Sequence, residues 1–131
     1  MDIELVELAQ LRPHEHTLPE RVETMTDKLQ RNDFFHKPIL IDRRTMTILD
    51  GHHRHQASLR LGLLRVPAIC LDYLVDERIA VEPWRPEELP SLAKQTVLAS
   101  AQTGRLMKPK SSKHTVAFGL PALAVPLTEL R

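Results

Sequence analysis

Cysteine is almost missing from this chain of 131 residues: Cys70 stands alone. No disulfide can form within the chain, and a reducing, cytoplasmic setting is expected. The apolar run "VPAICLDY" around it suits a buried structural thiol. An excess of charge is missing too, because 18 Lys and Arg face 17 Asp and Glu for a net +1. Such a balance exerts little general attraction on nucleic acid or on a membrane surface, so any polyanion must be held locally. Nowhere does an uncharged apolar stretch approach the roughly 20 residues of a membrane span. The amino terminus "MDIELVELAQ" has neither the basic region nor the long apolar stretch of a signal peptide. Neither DNA nor a membrane is expected as a partner. The P-loop pattern, H-E-x-x-H and paired Cys/His zinc spacings do not occur, and there is no internal repeat or low-complexity linker.

What remains is ordinary for one soluble domain, with a hydrophobic fraction of 42%. Alternation in "IELVEL" predicts a short strand that ends by Pro13, followed by the loop "HEHT". From Pro19 to about Asn32, Val22, Met25 and Leu29 recur at helical spacing, with Pro19 suited to a first turn. "KPILIDRRTMTILDG" reads as a β-hairpin, Ile39 to Ile41 and Met46 to Leu49. A second helix follows directly, with Asp50 suited to cap it and Gly62 to stop it. "VPAICL" and "RIAVEPW" read as strands, and "SLAKQTVLASAQTG" as a third helix stopped by Gly104. The tail is broken by Pro109, Pro121 and Pro126 and cannot form one regular element. These elements predict an α/β (α+β) domain with a small mixed sheet and about three helices.

The densest chemistry lies in "ILDGHHRHQA", where three histidines, an arginine and an aspartate follow an apolar run. A helix N-terminus offers unpaired N–H groups and a positive dipole end, Gly51 permits close approach, and Arg54 adds a planar donor suited to phosphate. A phosphate cradle is one reading. His52 and His55, three apart on a helix, with His14 and His16 from the preceding loop, leave a metal site as another. A solvated helix start is the third, and for His55 a solvated side chain is expected.

"ILDGHHRHQASLRLGLLRVPAICL" resembles the signature of the ParB/sulfiredoxin superfamily, whose nucleotide-binding core carries Gly-x-x-Arg between a strand and a helix. Sulfiredoxins place a cysteine directly after the motif glycine, where this chain has His52. Chromosome-partitioning ParB proteins carry a charged pair at His52-His53 and add a helix-turn-helix, for which the proline-broken tail leaves no room. The free serine kinase branch is matched by Asp50-Gly51-His52-His53-Arg54 as it stands. Three further segments resemble that branch: "LRPHEH", "VEPWR", and "KSSKH" from Lys110 to His114.

The resemblance implies a ParB/sulfiredoxin-like nucleotide-binding domain over residues 1–114, with an apolar, proline-containing tail over 115–131 that suits a homodimer contact or docking onto a partner. It implies phosphoryl transfer from ATP or ADP, with Mg²⁺, to the hydroxyl of free L-serine. Glu15 then maps to the catalytic glutamate. Asp50 would assist by capping the helix, orienting His53 or reaching Mg²⁺ through water. Gly51, His52, His53 and Arg54 would hold nucleotide phosphates, while Trp84, Ser111, Ser112 and His114 would line the serine pocket. No resident transition metal is implied. The competing expectation is a ParB-like module that binds or slowly hydrolyses nucleotide for regulation, without amino-acid kinase activity.

Overall fold

The computed structural model describes residues 2–131. Strand β1 (Glu4–Glu7) is followed by helix α1 (Pro19–Asn32), strands β2 (Phe34–Phe35), β3 (Ile39–Asp42) and β4 (Ile48–Asp50), helix α2 (His52–Arg60), strands β5 (Arg65–Leu71) and β6 (Ile79–Pro83), helix α3 (Lys94–Thr103), and strands β7 (Ser112–Val116) and β8 (Val125–Pro126). The main sheet has the order β1-β5-β3-β4. It is mixed, because β5 runs antiparallel to β1 and parallel to β3 while β3 and β4 form the hairpin.

Side-chain alternation explains why this sheet sits at the centre. Ile39 and Ile41 of β3 and Val66 and Ala68 of β5 join one apolar cluster with Leu29 of α1 and Ala57 of α2. Leu40 of β3 and Ile69 and Leu71 of β5 point the other way, into a second cluster with Tyr73, Ile79, Val97 and Leu98. Covered on both faces, the two strands are almost continuously apolar, as such strands must be. A β6–β7 ribbon lies beyond the second cluster, pairing Pro83 with Ser112 and Val81 with His114. Gly104, at φ 74°, ends α3 in the left-handed region as its sequence position predicts.

Several expectations are corrected. Asp50 does not cap α2: it ends β4 opposite Leu40, and the capping position falls to Gly51. That residue turns at φ 115°, and a Cβ there would lie 2.5 Å from Cγ2 of Ile39, so only glycine fits. Cys70 is half-buried rather than buried, and burial still pushes its thiol up to about 11. The two-residue strand β2, too short to carry a periodic signal, pairs with β8 of the tail. Leu127 and Leu130 enter the first core cluster, and the Leu130 carbonyl accepts N–H bonds from Leu64 and Arg65. Among the described residues no helix is long and apolar enough to cross a membrane.

Candidate active site

The β4–α2 turn opens into a cleft of about 220 Å³, lined by Glu15, Arg21, Met25, Leu49, Asp50, Gly51, His52, His53, Arg54, Trp84, Lys110 and Ser112. The first intrahelical bond of α2 runs from the His55 N–H to the Gly51 carbonyl. The N–H groups of His52, His53 and Arg54 therefore have no helical acceptor at the end where the dipole is positive. Arg21 from α1 and Lys110 from the segment before β7 add positive charge to the same walls. This arrangement suits a phosphate group.

The imidazoles are fixed by backbone donors. Nε2 of His53 accepts the Leu18 N–H at 3.1 Å, and Nε2 of His52 accepts the His14 N–H at 3.1 Å. Each ring, when neutral, then carries its proton on Nδ1. Burial holds His52 well below the ordinary imidazole range, with the neighbouring histidines adding to the effect. Burial followed by the charge of Arg21 lowers His53 as well. Neutral rings with a defined donor edge result.

Arg54 is tied down more than its motif suggests. Its Nη1 donates to the carbonyls of Lys37 and Pro38 at 3.0 Å each, and its Nη2 lies 3.8 Å from Asp50. The guanidinium thus pins the segment before β3 while lining the cleft. His55 is buried rather than solvated, because it shares the inward face of α2 with His52; its Nδ1 has no hydrogen-bond partner among the described residues.

Glu15 faces this helix start from a clamped loop. The His16 N–H bonds to the Met107 carbonyl and the Met107 N–H to the His14 carbonyl, both at 2.8 Å. Oε1 of Glu15 accepts three bonds of 3.0 Å, from the N–H groups of Ser111 and Ser112 and from the Ser112 hydroxyl. Those bonds leave Oε2 for other work.

The expected serine-side residues divide. Ser112 and Trp84 line the cleft. Trp84 is half-exposed, with the Nζ atoms of Lys110 and Lys113 at 5.4 and 5.0 Å from its ring centre. Ser111 turns its hydroxyl to the Lys108 carbonyl and contributes its N–H to Glu15. His114 lies behind the wall, where Nε2 meets the Tyr73 hydroxyl at 2.8 Å and burial pushes the ring down to about 3. Arg21 and Met25 escaped sequence reading because helical spacing marks Met25 as core and leaves Arg21 as one surface cation among many. No group of three or more His, Cys, Asp and Glu side chains able to hold a metal occurs among the described residues.

With its mixed sheet and three helices, one of them started by Gly51, this chain has the ParB/sulfiredoxin-like fold. It superposes on a point variant of free serine kinase in complex with ADP with a TM-score of 0.88 and 16% identity, covering 100% of this chain and 95% of that one. C-terminally truncated SbnI from Staphylococcus aureus matches with a TM-score of 0.82 and 14% identity, over 98% of this chain and 89% of that one. In sequence the chain is 45% identical over 82 residues to a ParB-like protein of Sulfolobus acidocaldarius, covering 63% of this chain and 40% of that protein. It is 33% identical over 96 residues to an ATP-dependent L-serine kinase of Staphylothermus marinus, covering 69% and 37%. An ADP-dependent L-serine kinase of Thermococcus kodakarensis is 31% identical over 90 residues, covering 66% and 37%. The chain thus spans about 40% of the length of these curated relatives. No family model matches it.

Proposed function

We propose that this chain transfers a phosphoryl group from ATP or ADP to the hydroxyl of free L-serine, giving O-phospho-L-serine. The observation that carries the reading is the shared cleft: Glu15 lies in the same walls as the start of α2, so a base and an anion cradle face one space. The likeness to proteins named L-serine kinases supports it.

In this account the N–H groups of His52, His53 and Arg54 and the Nδ1–H of His53 receive nucleotide phosphates, and Arg21 and Lys110 offset their charge. Asp50, exposed at the cleft edge, is the carboxylate that would help hold a nucleotide-bound Mg²⁺, which would offset charge on the transferring group. L-Serine sits between Trp84 and Ser112. Glu15 accepts the hydroxyl proton as the serine oxygen bonds to phosphorus, while the bond from phosphorus to the departing nucleotide oxygen breaks and leaves its electron pair there. Ser111 acts through its backbone, and His114 supports the wall through Tyr73.

A regulatory nucleotide-binding module is the alternative, favoured by the carbonyl-bound Arg54 and by the likeness to a ParB-like protein. Incubation with ATP or ADP, with and without L-serine, separates the two. A kinase consumes nucleotide only when serine is present and accumulates phosphoserine; a regulatory module makes no phosphoserine, and any slow hydrolysis it carries out is independent of serine.

A further inference from the structure

Behind Glu15 lies a buried chain of hydrogen-bonding atoms whose protons do not add up. Oγ of Ser112 is 3.0 Å from Oε1 of Glu15 and 2.9 Å from Nε2 of His14. Nδ1 of His14 is 2.6 Å from the Ile48 carbonyl, which can only accept, so the His14 proton belongs on Nδ1 and Nε2 is bare. The ring is fully buried, and burial pushes it down to about 4, which keeps it neutral near pH 7. Ser112 thus has one hydroxyl proton between two acceptors, Oε1 of Glu15 and a bare imidazole nitrogen. With Glu15 ionised, one of the two contacts has no proton. With Glu15 protonated on the free Oε2, Oε1 keeps the N–H groups of Ser111 and Ser112, the Ser112 hydroxyl is released to donate to His14, and every atom in the chain has a partner.

We propose that the Ser112 hydroxyl is a two-position switch through which His14 strengthens Glu15 as a base. His14 competes for the hydroxyl proton, which destabilises the ionised carboxylate relative to its protonated form. When Glu15 takes the proton of an incoming alcohol, the Ser112 hydroxyl turns from Glu15 to His14 and no buried polar atom is left unpaired. His14 and Ser112 are positioning residues in this scheme. Other groups face the pair: His52 and His53 from α2, Arg21 from α1, Lys110 before β7, and His114 from β7. His52 touches His14 edge-on with ring centres 4.5 Å apart, and His114 stands 6.0 Å away. Their influence remains in variants at His14 and Ser112, so a difference between those variants reports the switch. The inference rests on the reading of Glu15 as the base.

The test is the titration of the Glu15 carboxyl carbon, followed by NMR in wild type, His14→Asn, Ser112→Ala and the double variant. Asn keeps a donor for the Ile48 carbonyl and removes the acceptor facing Ser112. His14→Asn is expected to lower the Glu15 midpoint by about 0.5–1 pH unit, since the hydroxyl then donates to the carboxylate unopposed. In the Ser112→Ala background the same change should move nothing. An unshifted midpoint in His14→Asn, or a shift that persists without the hydroxyl, overturns the proposal. Should His14→Asn fail to fold, the ¹⁵N shifts of wild-type His14 decide: a neutral Nδ1–H ring near pH 7 supports the switch, and an imidazolium there refutes it. None of these readings uses turnover, so a shifted titration in a protein that makes no phosphoserine would sink the kinase reading alone.

Discussion

Replacing Gly51 with alanine tests how the cleft is built. The added Cβ would lie 2.5 Å from Cγ2 and 2.8 Å from Cβ of Ile39, a buried side chain on a central strand with no flexible end to give way. Two costs combine. Placing an L-residue in the left-handed region costs about 1–2 kcal/mol, and forcing extra volume into a packed core costs about 1–3 kcal/mol. The total, about 2–5 kcal/mol, is a large share of the stability of a small domain. Gly104 supplies the control, because it also has positive φ, at 74°, but nothing lies within 4 Å of its added Cβ. Gly104→Ala should therefore cost only the backbone part. Urea denaturation of the two variants measures the difference directly as a shift in midpoint at constant slope. Nucleotide affinity in Gly51→Ala should fall as well, since relief of the clash must move the start of α2. Equal midpoints for the two variants, or a Gly51→Ala loss below about 0.5 kcal/mol, would refute the packing argument.

Arg54→Ala removes the donor to the Lys37 and Pro38 carbonyls and a cleft wall together, so stability should fall by about 1–3 kcal/mol and nucleotide affinity by about tenfold or more, measured by denaturation and calorimetry; unchanged affinity in the folded variant would remove Arg54 from the site. Acid should destabilise the protein through its buried imidazoles. Burial pushes His14 down to about 4 and His114 to about 3 in the folded state, whereas in the unfolded chain both titrate near 6.5. Their contribution is present above about pH 6.5 and is lost as pH falls toward those folded values, at up to about 1.4 kcal/mol per pH unit for each ring. Stability that stays flat from pH 7 to pH 4.5 would contradict their burial as neutral groups.

The parts of this molecule legible in the sequence are those encoded by neighbours. Three helices, the hairpin, the strand around Cys70 and the helix start at Gly51 all announce themselves by periodicity or by glycine and proline placement. Asp50 shows the limit of such reading: as a local pattern it suits a cap, yet strand pairing with Leu40 extends β4 through it and hands the turn to Gly51. His55 looked solvated because nothing local marks the inner face of a short polar helix. The support of Glu15 lies further out of reach, since His14 and Ser112 are 98 positions apart and meet only because the 14–16 loop pairs with Met107. Family resemblance names Glu15 and Ser112 one by one, without the contact that joins them. The one hydroxyl proton that Glu15 and His14 share through Ser112 is set by tertiary distances that no local pattern encodes.

Formation of O-phospho-L-serine from free L-serine, with ATP and with ADP as donor, tests the central claim most directly when wild type and Glu15→Gln are compared. The clamped carboxylate predicts serine-dependent turnover in wild type and a loss of about 10²–10⁴-fold in Glu15→Gln, with nucleotide binding retained. No phosphoserine from folded wild-type protein with either nucleotide, or full turnover by Glu15→Gln, would contradict it.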